Sequence, residues 1–205
     1  WRDFPARLSE ATGCGSFVFS RLGYGKSEPC KLPRSVNFMH TEGLEMLPGI
    51  IEAAGTNDCI LIGHSDGGSI AIIYAGGTPA VPLRGLITEA AHVFCEELSV
   101  ESIRYAKEMY EDGNLREKLL KYHGNNIEHA FRGWNDVWLD PAFREWNIEN
   151  YLPGVKVPML AIQGEEDQYG TMAQLYAISG RAGGSVETLI LPDCRHSPHA
   201  EQEKT

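Results

Sequence analysis

The sequence predicts an α/β fold in which a mostly parallel sheet is flanked by helices. Short apolar runs alternate with segments of helical periodicity along most of the chain, and this alternation is typical of strand–helix–strand units. One apolar run ends in the pentapeptide Gly-His-Ser-Asp-Gly at residues 63–67, directly before a helical segment. Two polar motifs follow two later strands, and parallel strands bring such motifs to one edge of a sheet.

The chain opens on a predicted amphipathic helix at residues 1–8, since its apolar residues recur at helical spacing. Residues 16–20 follow as a predicted buried strand. A helix over residues 44–51 is expected to begin at a capping Thr41, with Pro48 as an irregularity. The remaining core elements are predicted strands at 58–62, 86–91, 155–163 and 185–191 and predicted helices at 68–76 and 171–180.

A run of helical pieces interrupts this alternation at residues 92–150. We therefore predict a core formed by residues 1–91 and 151–205, with residues 92–150 inserted as a helical lid. The aromatic residues of the lid are expected mainly to form its own core. Trp134 and Trp138 are the candidates for lining an apolar substrate pocket beneath it.

Composition excludes several classes of function. The chain has 28 acidic and 18 basic residues and a formal net charge of −10, so it offers no basic stripe to nucleic acid and little attraction to an anionic membrane. Its five cysteines lack metal-like spacing, which indicates reduced thiols and neither a disulfide framework nor structural zinc. No apolar run is long enough to span a bilayer and no leader is recognisable, so a cytoplasmic location is expected.

The pentapeptide at residues 63–67 predicts a nucleophile on a sharp strand–turn–helix connection. In that context the Gly-x-Ser-x-Gly pattern holds the serine in a strained backbone and exposes its hydroxyl at the positive end of the following helix. Gly63 and Gly67 are expected to remove side chains that would collide where strand and helix pass closely. The alternative is an ordinary glycine-rich turn, and the pentapeptide alone does not decide between the two.

A serine nucleophile needs a base, and the base needs an acid that orients it. The acidic motif Gly164–Gly170 follows one late strand, and the motif Cys194–Glu201 follows the last strand. Ser65, an acid near position 167 and a histidine near position 196 are therefore expected to meet at the carboxyl edge of the sheet. Their order along the chain, serine then acid then histidine, is that of α/β hydrolases and not that of the main serine proteases.

Residues 1–201 resemble the α/β-hydrolase family in three separated motifs, Gly-His-Ser-Asp-Gly, Gly-Glu-Glu-Asp and His-Ser-Pro-His. The resemblance implies that Ser65 is the nucleophile, Asp167 the orienting acid and His196 the general base. The backbone N–H of Asp66 is then expected to be a donor of the oxyanion hole. Within the family, the chain is most similar to small bacterial hydrolases related in pattern to meta-cleavage-product hydrolases and carboxylesterases.

Neighbouring residues leave alternatives for these roles. Two glutamates precede Asp167, but the family's Gly-x-x-Asp spacing selects the aspartate. His199 is the alternative to His196 as the base, and the first histidine after the strand fits the motif better. His64 and His92 are candidates for the pocket lining at the same edge. His64 is expected mainly to pack against the sheet, and plain packing is an equal alternative for His92.

Two departures from the family pattern set further expectations. Arg195 stands where the family commonly has glycine, which predicts an altered backbone before the histidine. The family's first strands, with the loop that supplies its second oxyanion donor, would precede Trp1, and its last helix would follow Thr205. We therefore expect these N-terminal strands to be absent and the chain to be part of a longer hydrolase. Sheet edges left open in this way would favour association into a homo-oligomer.

The sequence thus predicts a serine hydrolase that cleaves a small-molecule ester or a related acyl bond through an acyl-enzyme on Ser65. The motifs imply neither a metal nor an organic cofactor. A carbon–carbon bond hydrolase of the meta-cleavage-product type would use the same three residues and is one alternative. The other alternative is an inactive hydrolase-fold protein that binds a small molecule.

Overall fold

The computed structural model describes residues 1–77 and 79–203 and shows an α/β architecture built on parallel strands. Four strands lie side by side in chain order: β1 (Cys59–His64), β2 (Leu83–Glu89), β3 (Met159–Gly164) and β4 (Val186–Leu191). All three pairings are parallel, so each connection crosses over and every strand ends at the same edge of the sheet. The predicted fold class is confirmed.

The α-helices of the described chain are α1 (Phe4–Thr12), α2 (Phe38–Thr41), α3 (Leu47–Ala53), α4 (Asp66–Gly76), α5 (Glu97–Glu111), α6 (Leu115–His123), α7 (Ile127–Trp138), α8 (Met172–Arg181) and α9 (Pro198–Glu201). Short 3₁₀ segments cover Gly124–Asn126, Pro141–Glu145 and Glu149–Gly154. None of the helices in the described ranges combines the length and the apolar character that crossing a membrane requires.

The chain forms two compact units, one made of Trp1–Ser35 and Ile103–Asp140 and the other of Val36–Ser102 and Pro141–Thr205. All four strands belong to the second unit. Compactness alone defines these two units. The lid predicted at residues 92–150 stays a prediction.

The first unit has a small core in which α6 and α7 pack together. Tyr110, Ile127 and Phe131 are buried there, and Trp134 packs against them together with two leucines of α6. The rings of Tyr110 and Phe131 stack with their centroids 3.7 Å apart. Tyr110, Phe131 and Trp134 therefore form part of a local core.

The core of the second unit lies where α4 packs against β1 and β2. Every side chain of α4 from Ser69 to Ala75 is buried, and a helix buried on all sides is apolar all round. Leu86 of β2 and Met159 and Ala161 of β3 are buried as well. Strands that are covered in this way read as nearly continuous apolar runs, which is the pattern that made them recognisable.

One continuous helical stretch runs from α2 through a π-helical turn (Glu42–Met46) to α3. It begins after Asn37, so Thr41 lies inside a helix and the prediction that it caps one is wrong. Pro48 has no N–H for the helix ladder, and the wider turn ends just before it. The irregularity expected at Pro48 is thus observed as a π-helical turn.

The strand predicted at residues 16–20 is wrong. These residues adopt no regular secondary structure, and Phe17, Val18 and Phe19 are 63%, 53% and 40% exposed. An apolar run becomes a strand only where a neighbouring strand pairs its N–H and C=O groups. The run belongs to the first unit, and the part of that unit that the structure describes contains no strand.

Candidate active site

The three predicted catalytic residues follow three strands of the sheet. Ser65 comes directly after β1, Asp167 follows β3 and His196 follows β4. Close backbone contacts join the last two loops: the N–H of Glu166 donates to Cys194 O at 2.9 Å, and a Cβ on Gly164 would lie 2.3 Å from that carbonyl oxygen. Glycine at position 164 therefore lets the acid loop and the histidine loop meet.

The backbone of Ser65 is strained between β1 and α4. Its φ of 54° and ψ of −125° lie in a region that residues with a side chain rarely adopt. Its N–H donates to Glu89 O at 2.8 Å, and its carbonyl oxygen accepts from the N–H groups of Gly68 and Ser69 at 2.8 and 3.2 Å. These three bonds hold the strained turn in place, as the predicted elbow requires.

The glycines around Ser65 have unequal roles. A Cβ on Gly63 would lie 2.3 Å from Gly67 O, which belongs to the backbone and cannot yield easily. A Cβ on Gly67 would meet no described atom within 4 Å, so the prediction that Gly67 relieves a collision is wrong. Gly68 has that role instead, because a Cβ there would lie 2.7 Å from Ala91 Cβ.

A continuous chain of hydrogen bonds joins Asp167, His196 and Ser65. His196 Nε2 lies 2.9 Å from Ser65 Oγ, and His196 Nδ1 lies 2.9 Å from each carboxylate oxygen of Asp167. The side chains of His196 and Asp167 are 13% and 1% exposed. The predicted nucleophile and the predicted acid thus each lie within hydrogen-bond distance of the predicted base, which is the geometry that acyl transfer needs.

The surroundings of Asp167 keep its carboxylate ionised. Gln163 Nε2 donates to Oδ2 at 2.7 Å, and the N–H of Tyr169 donates to Oδ1 at 2.8 Å. Burial disfavours the charged form, but the hydrogen bond and the charge of His196, together with the Tyr169 N–H, hold the pKa of Asp167 below its usual value. The two preceding glutamates are exposed.

The loop that holds His196 is fixed by side chains on both sides. His64 donates its Nε2–H to the carbonyl oxygen of His196 at 2.7 Å. The carboxylate of Glu201 accepts from the N–H groups of Arg195 and Ser197, each at 2.9 Å. The backbone of Arg195 does not adopt the left-handed conformation. Asp193, with φ 51°, adopts it in this loop. The replacement of glycine at position 195 therefore imposes no strain at that residue.

The other histidines at this edge differ from His196 in their partners. His199 Nδ1 lies 2.7 Å from Glu89 Oε2, so His199 has its own carboxylate. Burial lowers the pKa of His64 to about 4 and that of His92 to about 3. The charge of His196 is the second largest cause of both shifts. His64 and His92 are therefore neutral near pH 7, and His92 is buried. Pocket lining by these two residues stays a prediction.

Trp134 and Trp138, the other candidates for pocket lining, belong to α7 of the first unit. Trp134 packs edge to face on Phe131 with the ring centroids 5.9 Å apart, and Trp138 is fully buried. Their predicted contact with a substrate stays a prediction.

Three residues of the site were missed by sequence reasoning, namely Glu89, Gln163 and Glu201. Glu89 and Gln163 lie at the carboxyl ends of β2 and β3 and are buried. A polar residue at the end of an otherwise apolar strand is the signal that could have identified them. Glu201 carries no comparable signal, since its role depends on the fold of the loop before it.

Comparison with known proteins agrees with this geometry. A sequence model described as "Alpha/beta hydrolase family" matches residues 1–205. The structure of MGS-M2, an α/β-hydrolase enzyme from a Medee basin deep-sea metagenome library, is similar with a TM-score of 0.68 and 16% identity over 99% of this chain and 81% of that one.

Two further structures are similar at equally low identity, so they inform on the fold alone. The esterase EaEST from Exiguobacterium antarcticum has a TM-score of 0.66 and 16% identity over 89% of this chain and 75% of its own. A proline iminopeptidase from Mycobacterium smegmatis has a TM-score of 0.60 and 16% identity over 84% and 70%. With its sheet, its elbow and the match over its whole length, the chain belongs to the α/β-hydrolase family.

Proposed function

We propose that this protein is a serine hydrolase that cleaves an ester or a related acyl bond of a small molecule. Ser65 is the nucleophile, His196 the general base and Asp167 the acid that orients the base. The observation that carries the proposal is the hydrogen-bonded chain from Asp167 through His196 to Ser65. Membership of the α/β-hydrolase family supports hydrolysis as the reaction class.

The reaction proceeds in two halves. In the first, Ser65 Oγ attacks the substrate carbonyl carbon while His196 Nε2 takes the hydroxyl proton. The tetrahedral intermediate then collapses, and the leaving alcohol departs with the proton from His196. In the second half, His196 takes a proton from water, whose oxygen attacks the acyl carbon. Collapse of that intermediate releases the carboxylic acid and returns the proton to Ser65.

The surrounding groups support each charge that develops. Asp167 remains ionised because its pKa is lowered, so it fixes the Nδ1–H tautomer of His196 and stabilises the protonated ring. The N–H of Asp66 is the first of the α4 helix and follows Ser65 directly. There it would donate to the oxyanion, supported by the positive end of the helix.

A fluorophosphonate probe tests the proposal, since it reacts covalently with an activated serine. We expect labelling of the wild type at Ser65, no labelling of Ser65→Ala, and labelling slowed by about 10⁴ in His196→Ala. Ser179→Ala is the matched control, because Ser179 lies in α8 with its hydroxyl bonded to its own helix. It should be labelled like the wild type.

The outcome also separates the remaining classes of function. A folded wild type that is not labelled would contradict catalysis and favour a binding protein on this scaffold. For a labelled protein, esters of graded acyl length and a meta-cleavage dienoate would be compared as substrates. Faster turnover of the dienoate would show that the enzyme is a carbon–carbon bond hydrolase and not an esterase.

A further inference from the structure

A hydrogen-bonded pair of side chains, Glu89 and His199, adjoins the Ser65–His196 contact without taking part in it. Glu89 Oε2 lies 2.7 Å from His199 Nδ1, and the backbone N–H of His199 donates to the same oxygen at 3.3 Å. The two side chains are 4% and 14% exposed. Burial of a carboxyl group costs free energy unless hydrogen-bond donors surround it. The two bonds from His199 therefore stabilise Glu89 at this position.

Glu89 bonds to both halves of the candidate site. Its carbonyl oxygen accepts the N–H of Ser65 at 2.8 Å and so holds the elbow. Its carboxylate holds His199, which lies in α9 three residues after His196. One residue at the end of β2 thereby connects the nucleophile to the segment that carries the base.

The ring of His64 fills the space between the two later histidines. Its centroid lies 4.9 Å from that of His196 and 5.2 Å from that of His199. A shift of His199 would therefore reach His196 through this packed ring as well as through the short chain between them. His196 itself lies outside regular secondary structure, so its position depends on such contacts.

We propose that Glu89 and His199 are positioning residues that set the distance between Ser65 Oγ and His196 Nε2. The inference rests on the proposed function, because it concerns the geometry of proton transfer between these two atoms. A displacement of about 1 Å can cost about 10² in rate. Loss of the Glu89–His199 bond should lower kcat by about 10- to 100-fold and leave KM nearly unchanged, since neither residue is assigned a contact with substrate.

Two replacements of similar polarity test the bond. In His199→Asn the amide nitrogen stands on Cγ, as Nδ1 does, so it can still donate to Glu89 Oε2. In His199→Gln the amide nitrogen stands one bond further out and misses that position. We expect His199→Gln to lose about 10- to 100-fold in kcat and in the rate of fluorophosphonate labelling, and His199→Asn to recover most of the loss.

Thermal unfolding of both variants separates positioning from stability. A merely structural role predicts that the kinetic loss follows the change in melting temperature, whereas positioning predicts two variants of similar stability with different kcat. Equal kinetics of both variants, or a change in KM in place of kcat, would overturn the inference. A wild type that resists labelling would overturn the proposed function itself, whereas a labelled wild type matched by His199→Gln would overturn only the inference.

Discussion

The carboxylate of Asp167 holds His196 Nδ1 at 2.9 Å from both of its oxygens. A carboxylate can only accept, so the Nδ1–H of the ring must donate to it. The other ring nitrogen then presents its lone pair to Ser65 Oγ, 2.9 Å away. The tautomer that a base needs is therefore set by the acid on the far side of the ring.

Replacement Asp167→Asn should lower kcat by about 10⁴ while the fold is kept, because an amide can donate to Nδ1 and thus stabilise the wrong tautomer. Steady-state hydrolysis of an activated ester measures the effect. Glu165→Gln and Glu166→Gln are the matched controls, since both side chains are exposed, and each should hydrolyse the ester at a rate close to that of the wild type. A larger loss of kcat in either control than in Asp167→Asn would mean that Asp167 is not the orienting acid.

The elbow glycines give a second prediction, on stability. Gly63→Ala should lower the free energy of unfolding by about 1–3 kcal/mol, because its methyl group would press on the backbone at Gly67. Gly67→Ala, four residues later in the chain, is the control. It has open space for the methyl group and lies in α4, so it should be neutral or stabilising by up to about 1 kcal/mol. Urea unfolding of both variants decides, and equal losses would refute the distinction.

The sequence was sufficient to locate Ser65, Asp167 and His196 at one edge because parallel strands all end there. Strand ends are recognisable from apolar runs, and the topology then brings the following residues together without knowledge of any side-chain contact. The same reasoning could not choose between Gly67 and Gly68, since that choice depends on the direction in which each Cβ would point.

Side-chain contacts other than those expected among Ser65, Asp167 and His196 were beyond sequence reasoning. The link from Glu89 to His199 joins two positions with no local pattern in common. The error at residues 16–20 has a related cause, because an apolar run shows its affinity for a sheet but not whether a partner strand is beside it. The convergence of strand ends at one edge was predictable, whereas the pairing of a segment or a side chain with one particular neighbour was not.

Acid should destabilise the protein through its buried histidines. The pKa of His64 is lowered to about 4 by burial and by the charge of His196. Between pH 6.5 and pH 4, His64 is therefore protonated in the unfolded chain and neutral in the folded one. Stability is therefore full above pH 6.5 and declines towards pH 4, by roughly 3 kcal/mol for this residue. His92, with a pKa lowered to about 3, acts in the same direction.

His64→Gln isolates this contribution. The amide nitrogen of glutamine can replace Nε2 as the donor to His196 O but does not titrate. His196, His199 and Glu89 face position 64 and are unchanged in the variant. Urea unfolding between pH 4 and 6.5 should show a flatter dependence than in the wild type. Parallel curves would mean that His64 is not the acid-sensitive group.

The carboxylate of Glu201 offers a last test of how the base is held. Its two oxygens accept the N–H groups on either side of His196, from Arg195 and from Ser197. Removing it in Glu201→Ala frees both N–H groups in an exposed part of the loop, where water can replace the carboxylate. The free energy of unfolding should therefore change by less than about 1 kcal/mol.

Activity should respond more strongly than stability to the loss of this carboxylate. Without it the backbone of His196 can drift from Ser65, and kcat should fall by about tenfold in Glu201→Ala. Glu201→Gln keeps one oxygen and should lie between this variant and the wild type. Glu187→Ala, at an exposed position of β4, is the control and should leave kcat unchanged. A loss of kcat that merely parallels unfolding, or none at all, would show that the loop holds His196 without Glu201.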